Sequence, residues 1–358
     1  MDKTDILITN YKKSQRRFAR VMIGLSALVA AIFVVGLSVA QYPVGFMETF
    51  SILMDNITGN VSIETYDDWI KNEIVINMNV PRLLTGISIG AILSVSGAVM
   101  QVVVKNPMAD PFTTGISSGG LLGASLFIAY GISVVPFLSG NTAVMVNAFL
   151  FSLIPTTVIL IVTAFKRNIS PTMMILTGIG VMYIFSATSS LVRYSADPSK
   201  AAEIYRWSLG SLGRVPWDSL YMVIIAAAIA LIAGIAFSSK LNTLSQGDDL
   251  AKSLGINIRW FRATSLTICA LVTAVTVSLA GSIGFVGLVC PHIARMLVGS
   301  NNKLVVPCAA IVGMVMLVGC DILSKVILTY GLPVGAVTAL IGSPIFIYML
   351  IKSNRRPW

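Results

Sequence analysis

The chain has 358 residues, 56% hydrophobic and 11% charged, with 25 Lys and Arg against 15 Asp and Glu. Soluble domains carry about 25% charge, so a soluble globular protein is excluded and the composition is that of a polytopic membrane protein. The net charge of +10 does not require a nucleic-acid partner, because an uneven distribution of Lys and Arg across a membrane accounts for it.

A segment crossing ~30 Å of hydrocarbon needs about 20 mostly apolar residues. A basic segment, 1–20, holds Lys12, Lys13, Arg16, Arg17 and Arg20 and precedes the first predicted span at 21–40. No cleavable signal peptide is expected there, since a largely polar segment of twenty residues comes first and no small-residue cleavage site follows. Further spans are predicted at 83–104, 115–132, 142–164, 172–193, 219–237, 263–283, 285–299, 304–324 and 334–351, ten in all. Those at 115–132 and 285–299 are rich in Gly or broken by Pro, a sign of half-helices packed inside protein. The fold class expected is therefore all-α, one transmembrane domain over 21–351 followed by a short basic tail, 352–358.

Charge sets the orientation. With the N-terminus inside, ten spans return Lys352, Arg355 and Arg356 to the same side. The inner segments then hold 18 Lys and Arg against 5 acids, and the outer ones 7 against 10, as the positive-inside rule requires. Both termini are expected in the cytoplasm.

Little in the chain can do chemistry. There is no G-x-x-x-x-G-K-[ST] phosphate loop. His292 is the one histidine, and Cys269, Cys290, Cys308 and Cys320 form no C-x-x-C, so neither a catalytic set nor a metal cluster is expected, and no cofactor. Pro291-His292 reads as helix-shaping, like the helix-breaking pairs Asn106-Pro107 and Asp110-Pro111. Acids at membrane depth relay protons or bind ions, and the cores of 21–40, 83–104, 142–164 and 263–283 hold none. Asp321 and Lys325 stand four apart at the outer end of 304–324, the spacing of a helical ion pair.

One inward loop, 239–262, contains the charged phrase SQGDDLAKSLGINIR at 245–259. It reads as a short helix, with Ser245 or Asp248 as its cap, Asp248 and Asp249 at the positive dipole end and Gly255 as its stop. Leu250, Ala251 and Leu254 fall along one side. It is too polar for lipid and too short to stand alone, and it lacks the basic face and bulky aromatics of interfacial helices. A partner protein is the better expectation.

The stretches VPRLLTGISIGAILSVSGAVMQVVVKNPMADPFTTGISSGG (80–120), GDDLAKSLGINI (247–258), GSIGFVGLVCPHIARMLVG (281–299) and LPVGAVTALIGSPIFIYML (332–350) resemble the FecCD-type permeases of ABC importers, which move iron-siderophores, haem and vitamin B12. The resemblance runs from about residue 75 onward. It implies an inverted repeat of two four-helix halves, a homodimer with a solute path along its axis, two copies of a separate ATPase and an extracytoplasmic binding protein.

Roles follow by position. The resemblance makes 247–256 the coupling helix for the ATPase, with Gly247, Asp248, Leu250, Ala251, Leu254 and Gly255 as its contact residues. It makes Arg82 and Lys325 the basic residues that receive the binding protein, and the loop 169–173 the inner gate, with Ser170, Pro171 and Thr172. Pro171 also suits an ordinary helix start, and Arg82 a snorkelling span-end arginine. Two positions depart from the pattern: Asn79 stands where a first arginine is usual, and Gly331 where Glu is common. The resemblance favours a ferric siderophore over haem or cobalamin. The alternative function is an ion-coupled secondary transporter in one self-sufficient chain.

Overall fold

The computed structural model describes residues 3–40, 42–165, 171–327 and 331–353. Among them every regular element is helical. In chain order these are α1 (Lys3–Ser38), α2 (Phe46–Thr58), α3 (Tyr66–Asn72), α4 (Val80–Val103), α5 (Ile116–Tyr130), α6 (Gly140–Phe165), α7 (Pro171–Ser195), α8 (Pro198–Ser208), α9 (Trp217–Ser245), α10 (Asp248–Ser253), α11 (Ile258–Ala280), α12 (Val286–Val298), α13 (Asn302–Val326) and α14 (Val334–Ser353). Seven are long and apolar enough to cross a membrane: α1, α4, α6, α7, α9, α11 and α13. The shorter apolar helices α5, α12 and α14 occupy the other three predicted spans. At 1.5 Å per residue α5 and α12 are only about 20 Å long, short of the hydrocarbon thickness, as their Gly and Pro content suggested.

α4 is the centre of the bundle. Its most apolar stretch is 89% buried, against 11% for α1 and 17% for α7, so α1 and α7 lie at the periphery. Glycine lets α4 approach its neighbours at backbone distance. A Cβ on Gly90 would lie 2.4 Å from the Gly313 carbonyl oxygen of α13, and one on Gly97 only 1.9 Å from the Gly287 oxygen of α12. Lipid offers no hydrophobic drive for helix association, so close packing of small residues and interhelical hydrogen bonds must supply it. Ser94 adds such a bond, its hydroxyl donating to the Ala309 carbonyl at 2.7 Å.

α4 and α11 run antiparallel. The end of α4 meets the start of α11 where Arg262 Nε donates to the Val103 carbonyl at 3.0 Å. At the other end Leu212 lies against Gly86 of α4, and its neighbour Ser211 donates its N–H to the last carbonyl of α11, Ala280, at 2.8 Å. This is the opposed pair of directions expected for 83–104 and 263–283.

Three helices lie outside the predicted spans, on the side where α1 ends: α2, α3 and α8. Thr65 and Asp68 form a reciprocal capping box that starts α3. A π-helical segment, Glu73–Asn79, joins α3 to α4. α8 begins at Pro198, after Asp197, because proline loses nothing in the first helical turn.

Candidate functional site: a gripped polar helix and a basic vestibule

α10 is a single polar turn and a half set between two glycines. Gly247 has φ +132° and Gly255 φ +79°, backbone that residues with a Cβ rarely adopt. The expectation that Ser245 or Asp248 caps this helix is not met. The Ser245 hydroxyl donates backwards to the Asn242 carbonyl, and Gly247 takes the N-cap place with no side-chain bond. Asp248 has stronger partners. Lys105 Nζ lies 2.9 Å from its Oδ1, and Arg262 Nη2 donates to both carboxylate oxygens at 3.0 and 3.1 Å. Bonds between ionised groups outweigh a neutral cap. Partial burial works to raise the Asp248 pKa, but the two cations overcome it and hold the carboxyl below its usual range.

The grip reaches three elements. Arg262 belongs to α11 and also holds the last carbonyl region of α4. Lys105, in the turn after α4, has φ +49°, a left-handed conformation uncommon outside glycine. Within α10 the apolar residues divide by size. Ala251 is fully buried, whereas Leu250 and Leu254 are 46% and 64% exposed. The Ile256 N–H closes the turn on the Ala251 carbonyl at 3.0 Å. The fold thus fixes α10 through its small and charged residues and leaves two leucines facing outward.

The opposite end of α4 opens into a vestibule of about 1040 Å³. Arg82, Arg206, Arg214 and Lys325 all line it, and no Asp or Glu is among its described lining residues. Asp321, fully buried beneath it, holds two of these cations. Arg82 Nε donates to both its oxygens at 2.8 and 3.0 Å, and Lys325 Nζ lies 3.8 Å away. The helical spacing of Asp321 and Lys325 does bring them together, but Arg82 makes the tighter contact. Asn79, the residue that stands in place of an arginine, accepts from Lys325 Nζ at 2.8 Å and donates to the Leu37 carbonyl at 2.9 Å. It therefore ties α1, α4 and α13 together.

Arg206 and Arg214 escaped the sequence reading, and neither forms a salt bridge among the described residues. Arg214 is fixed by backbone carbonyls of Arg206 and Trp207 and lies over the Trp207 ring at 6.0 Å. Of the expected gate, Ser170 lies outside the described residues. Pro171 opens α7, and Thr172, its second residue, is exposed. Among the described residues no group of three or more His, Cys, Asp or Glu could hold a metal ion. The turn at Asp110-Pro111 is structural: the Thr113 N–H donates to Asp110 Oδ1 at 2.7 Å, and the Asp110 N–H donates to Thr113 Oγ1 at 3.0 Å.

A helical membrane bundle that lacks a phosphate loop yet offers a rigidly held polar helix at one end and an open basic vestibule at the other is built as the permease subunit of an ABC transporter, the part that carries no ATPase site. The chain belongs to the FecCD transport family, whose model matches residues 28–352. It is similar to an ABC transporter permease protein of Methanocaldococcus jannaschii, 37% identical over 80% of this chain and 83% of the relative. It is also similar to the hemin transport system permease HmuU of Yersinia pestis, 32% identical over 78% and 84%, and to the iron(3+)-hydroxamate permease FhuB of Bacillus subtilis, 33% identical over 80% and 73%. Other relatives are the vitamin B12 permease BtuC of Vibrio cholerae and the molybdate permease MolB of Haemophilus influenzae. A solved inward-facing structure described as a metal-chelate type ABC transporter superposes with a TM-score of 0.79 at 27% identity, over 93% of this chain and 99% of that one.

Proposed function

We propose that this chain is the membrane subunit of an ATP-driven importer for a metal chelate, with a ferric siderophore as the leading substrate and haem or cobalamin as the alternatives. It works as a homodimer with two ATPase subunits and an extracytoplasmic binding protein, its termini and α10 in the cytoplasm. The observation that carries this reading is the state of α10. A helix too short to persist alone is held by three cross-element ion-pair contacts while Leu250 and Leu254 point away from the protein. That is the form of a lever whose tip belongs in another subunit's groove. Gly247, Ala251 and Gly255 permit the close approach, and Asp248 passes the displacement to α4 and α11 through Lys105 and Arg262.

At the other end the vestibule receives the binding protein. Arg82 and Lys325 share the charge of Asp321, so the uncompensated attraction for acidic groups comes mainly from Arg206 and Arg214. Ser170, Pro171 and Thr172 form the inner gate, a role that rests on the resemblance of the 169–173 loop. The relatives' names support iron chelates through hemin and ferric hydroxamate, while the molybdate relative marks the family's breadth. The deciding experiment is uptake into proteoliposomes holding the chain with its ATPase and binding protein, offered ferric hydroxamate, ferric catecholate, haem, cobalamin and molybdate in turn. Accumulation of a ferric siderophore in preference to the others is expected. Transport of molybdate with none of the chelates would overturn the substrate assignment.

A further inference from the structure

α2 turns its bulkiest apolar residues away from the protein. Phe46, Met47, Phe50, Met54 and Ile57 are 55%, 79%, 59%, 44% and 77% exposed. At 3.6 residues per turn these five fall within an arc of about 100°, a continuous ridge along one side of the helix. The other side fixes the rotation. Thr49 is buried, and Glu48 Oε1 accepts from Lys71 Nζ at 2.7 Å. Asn56 donates to Asn72 Oδ1 at 2.6 Å. Leu53 packs with Leu37, Leu83 and Val318. The charged residues of α2, Glu48 and Asp55, lie on the side opposite the ridge.

The surroundings identify what covers this ridge. Leu53 shares its cluster with Leu37 at the end of α1, so α2 lies at the level where the α1 span leaves the hydrocarbon. Val34 and Val35, in the last turns of α1, are themselves 44% and 49% exposed, on a span that is 11% buried. The ridge and this stretch of α1 are thus both apolar and uncovered, on two helices joined through the Leu53–Leu37 cluster. On α3, which packs against the other side of α2, Tyr66 and Trp69 stack at 5.7 Å between ring centroids and are 76% and 48% exposed, and Trp and Tyr are the residues enriched at membrane–water interfaces. We propose that α2 lies in the headgroup layer on the vestibule side of the membrane, its Phe-Met-Ile ridge dipped into the lipid. Residues 48–73 carry six acids and one lysine, so the matching surface is zwitterionic rather than anionic lipid.

The consequence reaches the vestibule. Tyr42, which lines it, donates to Asp67 of α3, and Lys71 links Asp67 to Glu48 of α2. The interfacial helix thereby sets the height of the vestibule rim at the membrane surface.

The test places a bimane label on the full chain in phosphatidylcholine nanodiscs at Met47→Cys, Ile57→Cys and, as a solvent-exposed control between α2 and α3, Glu64→Cys. The described native cysteines are all buried. Nitroxide lipid labelled near the headgroup is expected to quench positions 47 and 57 at least threefold more than position 64, with aqueous iodide giving the reverse order. Iodide quenching at 47 and 57 equal to that at 64, without lipid quenching, would overturn the proposal. So would shielding of the ridge that arises from a second copy, read as 47–47 or 57–57 cross-links, or that requires added binding protein.

Discussion

Lys105, in the turn that ends α4, lies 2.9 Å from Asp248 at the head of α10, and Arg262 closes on the same carboxylate from α11. α4 is thereby clamped at both ends, by Asp321 at Arg82 and by Arg262 at Val103. These positions are about 31 Å apart along a helix, the thickness of the hydrocarbon core. Under the proposed function, a displacement of α10 would be delivered to a buried rod that ends in the vestibule.

Loosening the grip without touching α10 tests this transmission. Lys105→Gln and Arg262→Gln leave Leu250 and Leu254 in place, so the ATPase subunit still co-purifies. Transport per ATP hydrolysed is expected to fall about twofold for Lys105→Gln, whose contact is half-exposed and worth under about 1 kcal/mol, and severalfold more for the better buried Arg262→Gln. Unchanged coupling ratios in both would show that the grip transmits nothing.

The outward leucines test the proposed docking of the ATPase. Leu250→Asp with Leu254→Asp changes only exposed surface of α10, so the chain is expected to reach the membrane in normal amount and lose its ATPase on purification. Full uptake with normal ATPase recovery would remove α10 from the interface.

Asp321 neutralises two cations in a site it cannot leave. Replacing it by Ala strands Arg82 and Lys325, and breaking a buried pair by removing one partner costs about 3–5 kcal/mol. Thermal unfolding in detergent should show that loss, and the triple variant Asp321→Met, Arg82→Met, Lys325→Met, which leaves neither cation stranded, should recover most of it. A single Asp321→Ala variant as stable as the parent would mean that the pair does not hold α4 to α13.

Asp110 supplies a pH test. It sits buried in the α4–α5 connection, and burial, opposed by the bonds from Thr113, pushes its carboxyl up to about 6. The folded pKa exceeds the unfolded value of about 3.9, so the fold favours the neutral acid. Stability is then highest below about pH 4, falls as pH rises through 6 and stays low above it. Asp110→Asn keeps an acceptor for the Thr113 N–H and carries no charge. It should gain on the order of 3 kcal/mol over the parent at pH 7.5 and nothing at pH 4. Equal melting shifts at both pH values would contradict this.

The spans were legible because twenty apolar residues in succession have few other uses. α2, α3 and α8 were not, although Thr65 with Asp68 and Asp197 with Pro198 are local helix-start signals, because short helices at a membrane surface show no span-length run. In α10 the helix and its glycine stop were readable from local chemistry. Its cap was misjudged because Lys105 and Arg262, distant in sequence, outcompete the helix for Asp248. Arg82 and Lys325 stood out by position, whereas Arg206 and Arg214 gave no sign of facing them, since convergence in a vestibule is a property of tertiary packing. Asn79 looked like a lost cation and is instead a hydrogen-bonding link between α1 and α13.

The most direct measurement compares two energy sources in sealed vesicles. Vesicles holding the chain with its ATPase and binding protein should accumulate the chelate when ATP is supplied on the α10 side. Vesicles holding the chain alone should accumulate none under an imposed proton or sodium gradient. Accumulation by the chain alone, driven by either gradient, would contradict an ATP-powered permease and make this a self-sufficient ion-coupled transporter.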